Sequence, residues 1–330
     1  MKFGKMPLLE AAGGILAHSV RRGPAVFRKG QLLGETELAA LAAAGIPEVT
    51  VALLDTGDVE ENEAARRIGQ AVRASGVADG KAATGRVNLF AGHPGLLSFS
   101  PDAVDILNAV TEDVTLATLP PLTPVEAGRM VATVKIIPFA VPEERLDLCV
   151  AAGRDASIAV LPFRPLKARL VQTVVAELKP SVMAKTSAVT ADRMARLGGR
   201  IAGEARCRHD IDRLQAEIGE ALAAGCDILL IIGASAIVDR RDVIPAAILG
   251  AGGRIERLGM PVDPGNLILL GDVAGTPVLG LPGCARSPAR NGLDWVLERL
   301  SAGVPVANAD VARMGVGGLL LGQDEEGDYS

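Results

Sequence analysis

Aromatic side chains are nearly missing: they make up 2% of the 330 residues, with one Trp, one Tyr and six Phe. A nucleic-acid binder needs a basic stripe interleaved with aromatics, and this chain has neither, its net charge being −5 and its pI about 5.4. Cysteine is scarce too. Cys149, Cys207, Cys226 and Cys284 show no C-x-x-C spacing and no nearby His pairs, which excludes the usual zinc and disulfide frameworks and leaves buried, reduced thiols. No apolar run reaches the roughly 18 residues a membrane span needs. The N-terminal "MKFGKMPLLEAAGGILAHSV" is broken by Glu10, Gly13, Gly14 and His18 and offers no clear cleavage site. The expectation is a soluble, cytoplasmic chain without nucleic-acid or membrane partners.

What is abundant is small and aliphatic. Hydrophobic residues are 49% of the chain, with 38 Gly and 20 Pro. A core of Ala, Val, Leu and Ile suits helices packed on a parallel sheet, and frequent Gly and Pro imply tight turns. The chain reads in stretches. Residues 1–75 suggest a small α/β unit, with helices in "ETELAALAAAG" and "VEENEAARRIGQAVRASG" and a strand in "EVTVALLD". Residues 76–178 alternate short apolar runs with Gly and Pro, as in a β-rich module. Residues 179–305 alternate strands with helices, which implies a three-layer α/β sandwich on a mostly parallel sheet. Here the spacing suggests a strand over Ser181–Val189, a helix over Ala191–Leu197, a helix after Asp210, and a fully apolar strand in "CDILLIIG". "SPARNGLDWVLERLSAG" reads as a closing helix, with Ser287 as its expected N-cap and Pro288 at its first helical position. Residues 306–330 end "GQDEEGDYS" and read as a solvated acidic tail.

The stretch "IIGASAIVDRRDVIPAAI" (231–248) runs from a buried strand into a helix. Small residues and then Asp239-Arg240-Arg241-Asp242 lie between the two. In a parallel α/β sheet ligands bind at the carboxyl ends of the strands. Two Pro-Gly turns, Pro264-Gly265-Asn266 and Pro282-Gly283, close later strands, and Arg286 and Ser287 follow the second.

Three motifs in order, "GASAIVDRRDVIPAA", "MPVDPGNLILLG" and "VLGLPGCARSP", resemble the molybdopterin-binding fold of molybdenum-cofactor biosynthesis proteins. That family includes molybdopterin adenylyltransferase, molybdopterin molybdotransferase and gephyrin. The N-terminal "ILAHSVRRGPAVFRKGQLLGETELAALAAAGIPEVTV" resembles the part of molybdotransferases that precedes this fold. Together these segments cover roughly half the chain. The sequence departs from the family where a Gly-Gly pair becomes Ala234-Ser235, two lysines become Asp263 and Asn266, and Asn-Pro becomes Cys284-Ala285.

The resemblance implies binding of molybdopterin or its nucleotide form, with Mg²⁺ at Asp242 and Asp210 joining a transfer step. A nucleotidyltransferase or a molybdoenzyme client would be the protein partner, and the chain would act as a homo-oligomer. Each residue also has an ordinary reading. Gly233, Ala234 and Ser235 let a ligand approach the backbone, or form a tight turn. Asp242 and Asp210 hold a metal, or cap helices, as Asp does well. Arg240 and Arg241 grip an oxyanion in bidentate fashion, or are solvated loop charges, and Asp239 is a second acidic group of the site, or a salt-bridged loop residue. Pro264, Gly265, Asn266, Pro282 and Gly283 shape a cleft or merely turn the chain. Arg286 and Ser287 are good anion ligands at a helix start, or loop residues. His209 could be a proton-transfer group, or a structural histidine, as a lone His more often is. Three functions stay open: a transferase, a non-catalytic cofactor carrier, and a nucleotide hydrolase on the same fold.

Overall fold

A computed structural model of the chain describes residues 1–177 and 179–320. They divide into two compact units, Met1–Leu161 and the segment from Pro162 onward.

In the first unit, a short antiparallel sheet of Lys2–Pro7, Glu48–Leu53 and Ile15–Leu16 packs a small core of its own around Leu16, Leu33, Leu41 and Val51. The rest is built on an antiparallel sheet ordered Val114–Thr118, Met130–Ile136, Arg86–Ala91, Val77–Asp79. The helices Glu61–Val72, Pro101–Val110 and Glu143–Ala156 cover it. The structure departs here from a break at residue 75. Ala64, Ala65, Ile68 and Val72 belong to the core of this second sheet, because their amphipathic stripe needs its apolar face. With two helices of its own, the 76–161 stretch is α+β rather than simply β-rich.

The second unit holds a six-stranded sheet ordered Arg200–Arg208, Lys167–Val174, Ile228–Ile232, Thr276–Leu281, Leu269–Val273, Arg254–Leu258. The first four strands are mutually parallel and the last two pairings antiparallel. The central strand Ile228–Ile232 is buried throughout, as a strand covered on both faces must be. Ile228, Leu230 and Ile232 point into one core with Leu293, Val296 and Leu297. Leu229 and Ile231 point into the other, with Leu214 and Ile218 from Ile211–Ala223 and Ile244 and Ile248 from Val243–Gly250. Two-residue alternation thus builds three layers.

Several boundaries move. The strand Lys167–Val174 lies beside the central strand, so this sheet begins well before residue 179. Ser181–Val189 is helical, part of one helix Pro180–Arg196. Pro180 starts it, where a missing N–H costs nothing, and Thr186 and Thr190 satisfy their hydroxyls on the carbonyls four residues back. The closing helix is Gly292–Ser301, capped by Asn291 rather than Ser287. Asn291 and Asp294 form a reciprocal capping box, which outcompetes a serine four residues upstream. Residues 306–320 are no solvated tail: Val311, Met314 and Leu320 are buried in the sheet's core. The acidic segment 321–330 lies outside the described residues. Among the described residues, no helix is long and apolar enough to cross a membrane.

Candidate functional site

The four parallel strands end at one edge, and the loops there carry most of the residues singled out in the sequence. The central strand ends at Ile232 and turns at Gly233. A Cβ on Gly233 would sit 2.5 Å from the Ser235 carbonyl oxygen and 3.2 Å from Ile244 Cδ1, so only glycine fits. The peptide joining Gly233 to Ala234 is gripped from both ends. Arg286 Nη2 donates to the Gly233 carbonyl at 2.9 Å, and the Ala234 N–H donates to Thr173 Oγ1 at 3.0 Å. Thr173 is the penultimate residue of the neighbouring strand, and its Oγ1 lies 2.8 Å from His209 Nδ1, just past the end of the next. One peptide plane therefore ties four strand ends together.

Arg286 is brought there by the segment after Pro282-Gly283, a single 3-10 turn over Gly283–Arg286. The segment is held from behind by Arg193, which is 2% exposed. Its Nη1 donates to Ala285 O at 2.7 Å, and its Nη2 to Ser287 O at 2.6 Å and Ala289 O at 2.9 Å. Its Nε donates to Asp294 Oδ1 at 2.9 Å. Asn291 adds a weaker grip on Cys284 O and Ala289 O. The Ser287 hydroxyl accepts from the Ala289 N–H and so shapes its own loop. The other Pro-Gly turn docks on the closing helix: Gly292 N–H donates to Pro264 O at 2.8 Å. Gly265 has φ +140°, and a Cβ on it would lie 2.7 Å from Gly292 N.

Charge at this edge is unbalanced around Arg286. Its Nε is buried with no hydrogen-bond partner among the described residues, and no carboxylate pairs with it there. Burial pulls its pKa below the ordinary guanidinium value, although arginine stays protonated. A buried donor left unmade costs about 1–3 kcal/mol, more when charged. Burial also raises the neighbouring Cys284 thiol, which stays protonated.

The acidic residues are occupied otherwise. Asp242 caps Val243–Gly250, accepting from Val243 N–H at 2.7 Å and from Val238 N–H at 3.4 Å. Asp210 caps Ile211–Ala223 through Arg213 N–H and lies 3.6 Å from Arg208. Asp239 and Arg241 pair with each other at 2.8 Å in solvent. That pairing lowers the Asp239 pKa and raises that of Arg241, and exposed pairs of this kind contribute little. Arg240 and the side chains of Ser235 and Asn266 are exposed. Among the described residues no three His, Cys, Asp or Glu side chains cluster so as to hold a metal ion. With both Asp242 oxygens engaged, the residues present do not compose a Mg²⁺ site by themselves.

The structure thus joins Gly233, Ala234 and Arg286 directly, sets Pro282, Gly283 and Ser287 beside them, and docks Pro264-Gly265 on the closing helix. Asp239, Arg240 and Arg241 point to solvent. Sequence reasoning missed Thr173 and Arg193. Arg193 had a signal: it interrupts the stripe Thr186, Thr190, Met194, Leu197, and a charge on the buried side of a helix asks for a partner. A cleft of about 620 Å³ opens at the opposite edge, where Cys226 and Asp227 precede one strand and Thr276 begins another, with Arg164 in its lining. The sequence motifs and the half-buried Arg286, with its buried, unpartnered Nε, nevertheless favour the carboxyl edge.

A family model described as a domain of unknown function (DUF8806) matches residues 5–53. No curated protein matches the chain. Among solved structures, the chain is similar to a molybdopterin biosynthesis MoeA protein from Pyrococcus horikosii, with 16% identity and a TM-score of 0.30 over 91% of this chain and 75% of that one. It is also similar to a molybdenum cofactor biosynthesis protein from Pyrococcus furiosus, with 12% identity and a TM-score of 0.27 over 92% of this chain and 66% of that one. TM-scores of that size do not establish a common overall arrangement.

Proposed function

We propose that the carboxyl edge of the six-stranded sheet binds the oxyanion end of a small ligand, and that this ligand is molybdopterin or its nucleotide form. The observation that carries the reading is Arg286: a half-buried guanidinium with a buried, unpartnered Nε and no carboxylate beside it. A phosphate would supply the missing acceptor and the missing charge together. The three motifs that converge on this edge supply the reason for naming a pterin. Asp242 and Asp210 are both engaged as helix caps, which favours a binding or carrier role over a Mg²⁺-dependent transfer.

Molybdopterin, its adenylated form, ATP, CTP and molybdate, added separately, test this by thermal shift and product analysis. The reading expects the phosphate-bearing pterin to raise the melting temperature without turnover, and Arg286→Met to abolish the shift. A panel in which nothing binds, or in which Arg286→Met binds as wild type does, would overturn it. Turnover of a dinucleotide without pterin would point to a hydrolase.

A further inference from the structure

Thr173 is 1% exposed, so its hydroxyl must find its partners inside the protein. Oγ1 accepts the Ala234 N–H at 3.0 Å and lies 2.8 Å from His209 Nδ1. Two arrangements are possible for the second contact. If His209 Nδ1 carried the proton, Oγ1 would accept twice and the threonine's own proton would face no acceptor. If Nδ1 is bare, the Thr173 O–H donates to it and every group is satisfied. The second arrangement places the imidazole proton on Nε2. That nitrogen has no partner among the described residues and is not fully buried, in a residue that is itself half-buried at the strand edge. The charged groups beside it in the chain are Arg208 and Asp210, which lie 3.6 Å from each other.

We infer that Thr173 locks His209 in the neutral tautomer protonated on Nε2, and that this Nε2–H is a second ligand-facing donor of the strand-edge site, matched to an oxyanion oxygen. The donor role rests on the anion-site reading above; the tautomer does not. The geometry gives the pair a common anchor. Arg286 and Thr173 hold the two ends of the same Gly233–Ala234 peptide, so Arg286 and His209 are fixed relative to each other through one rigid planar unit. A neutral donor suits a second oxygen of an oxyanion that Arg286 also holds, since it adds a bond without adding a charge that must itself be buried.

The test is heteronuclear NMR of protein labelled with ¹⁵N-histidine, in alkaline buffer where imidazoles are neutral. The chain has only three histidines, so His209→Gln assigns the signals. The expected spectrum shows His209 with a protonated Nε2 and a bare Nδ1. Thr173→Val shifts it toward a mixture of tautomers, and Thr173→Ser restores it. Inorganic phosphate then moves the His209 Nε2 signal saturably, and Arg286→Met requires about tenfold more phosphate for the same movement. A protonated Nδ1 in the wild type overturns the lock, with no dependence on any variant's folding. So does a tautomer ratio that Thr173→Val leaves unchanged. Phosphate that raises the melting temperature in an Arg286-dependent way yet leaves Nε2 unmoved overturns the donor role while sparing the anion site. Phosphate that changes neither removes the site and the donor role together.

Discussion

Replacing Arg193 with methionine keeps most of the aliphatic stem and deletes four donated hydrogen bonds. Asp294, 9% exposed, loses its cation and keeps only the Asn291 N–H. The carbonyls of Ala285 and Ser287 lose the Arg193 donors, whereas Ala289 O retains Asn291. Removing one partner of a buried ion pair costs about 3–5 kcal/mol, and orphaned carbonyls push toward the upper end. For a unit of this size that corresponds to a fall of roughly 6–20 °C in melting temperature. Trp295, the only tryptophan, sits next to Asp294 in the affected helix, so its fluorescence follows this unit alone. Asp294→Asn by itself should cost less, because a neutral amide can remain near Arg193, and the double variant should be less destabilised than the two single effects added together. Coupling between touching residues runs at about 0.5–3 kcal/mol. An Arg193→Met protein that unfolds within about 1 kcal/mol of wild type, or a cycle without coupling, would refute this view of Arg193 as the clamp on the Arg286 segment.

Glu298 is buried against Arg290 at 2.8 Å, and burial outweighs that partner, pushing its pKa up from 4.5 to about 7. The folded state therefore holds the proton more tightly than the unfolded one, so stability falls as pH rises from about 4.5 to 7. Glu298→Gln should flatten urea midpoints across that window and be the more stable protein at pH 8, by about 1–3 kcal/mol; an unchanged slope contradicts this. Asp242→Ala should cost about 1 kcal/mol through the lost cap, and Asp242→Asn only a few tenths. Equal melting losses in the two would show that the charge, not the cap, matters. Gly233→Ala should destabilise by about 1–3 kcal/mol, because its Cβ meets backbone 2.5 Å away; wild-type thermal unfolding would show that the loop relaxes freely.

Much of the second unit was legible because its elements are locally determined. Ile228–Ile232 is uniformly apolar, Asp210 and Asp242 precede their helices, and the Pro-Gly turns mark strand ends. What escaped depends on partners distant in sequence. Pro180–Arg196 carries Thr and Val, which favour strands, and its helicity is supported by packing of Met194, and of Leu197 at its C-cap, under the sheet. Asn291 displaces Ser287 as the cap because Arg193 and Asn291 draw the carbonyls at 285–289 the other way. Thr173 and His209 meet only because two parallel strands are in register there, with Thr173 opposite Cys207. The stretch 306–330 reads as an acidic tail, yet Val311, Met314 and Leu320 within it fill the core. Of the charges in "DRRD", three are solvated or paired with each other; the cation that matters lies some fifty residues on, at Arg286.

The central claim is that an oxyanion-bearing ligand binds at the carboxyl edge of this sheet through Arg286, and not in the cleft at its amino edge. Calorimetric titration of molybdopterin into wild type, Arg286→Met and Arg164→Met tests it, since Arg164 lines that opposite cleft. Loss of a charge-assisted bond of about 1.5–3 kcal/mol predicts affinity at least tenfold weaker in Arg286→Met and unchanged in Arg164→Met. Binding that survives in Arg286→Met and falls in Arg164→Met would place the ligand at the wrong edge for this account and contradict it.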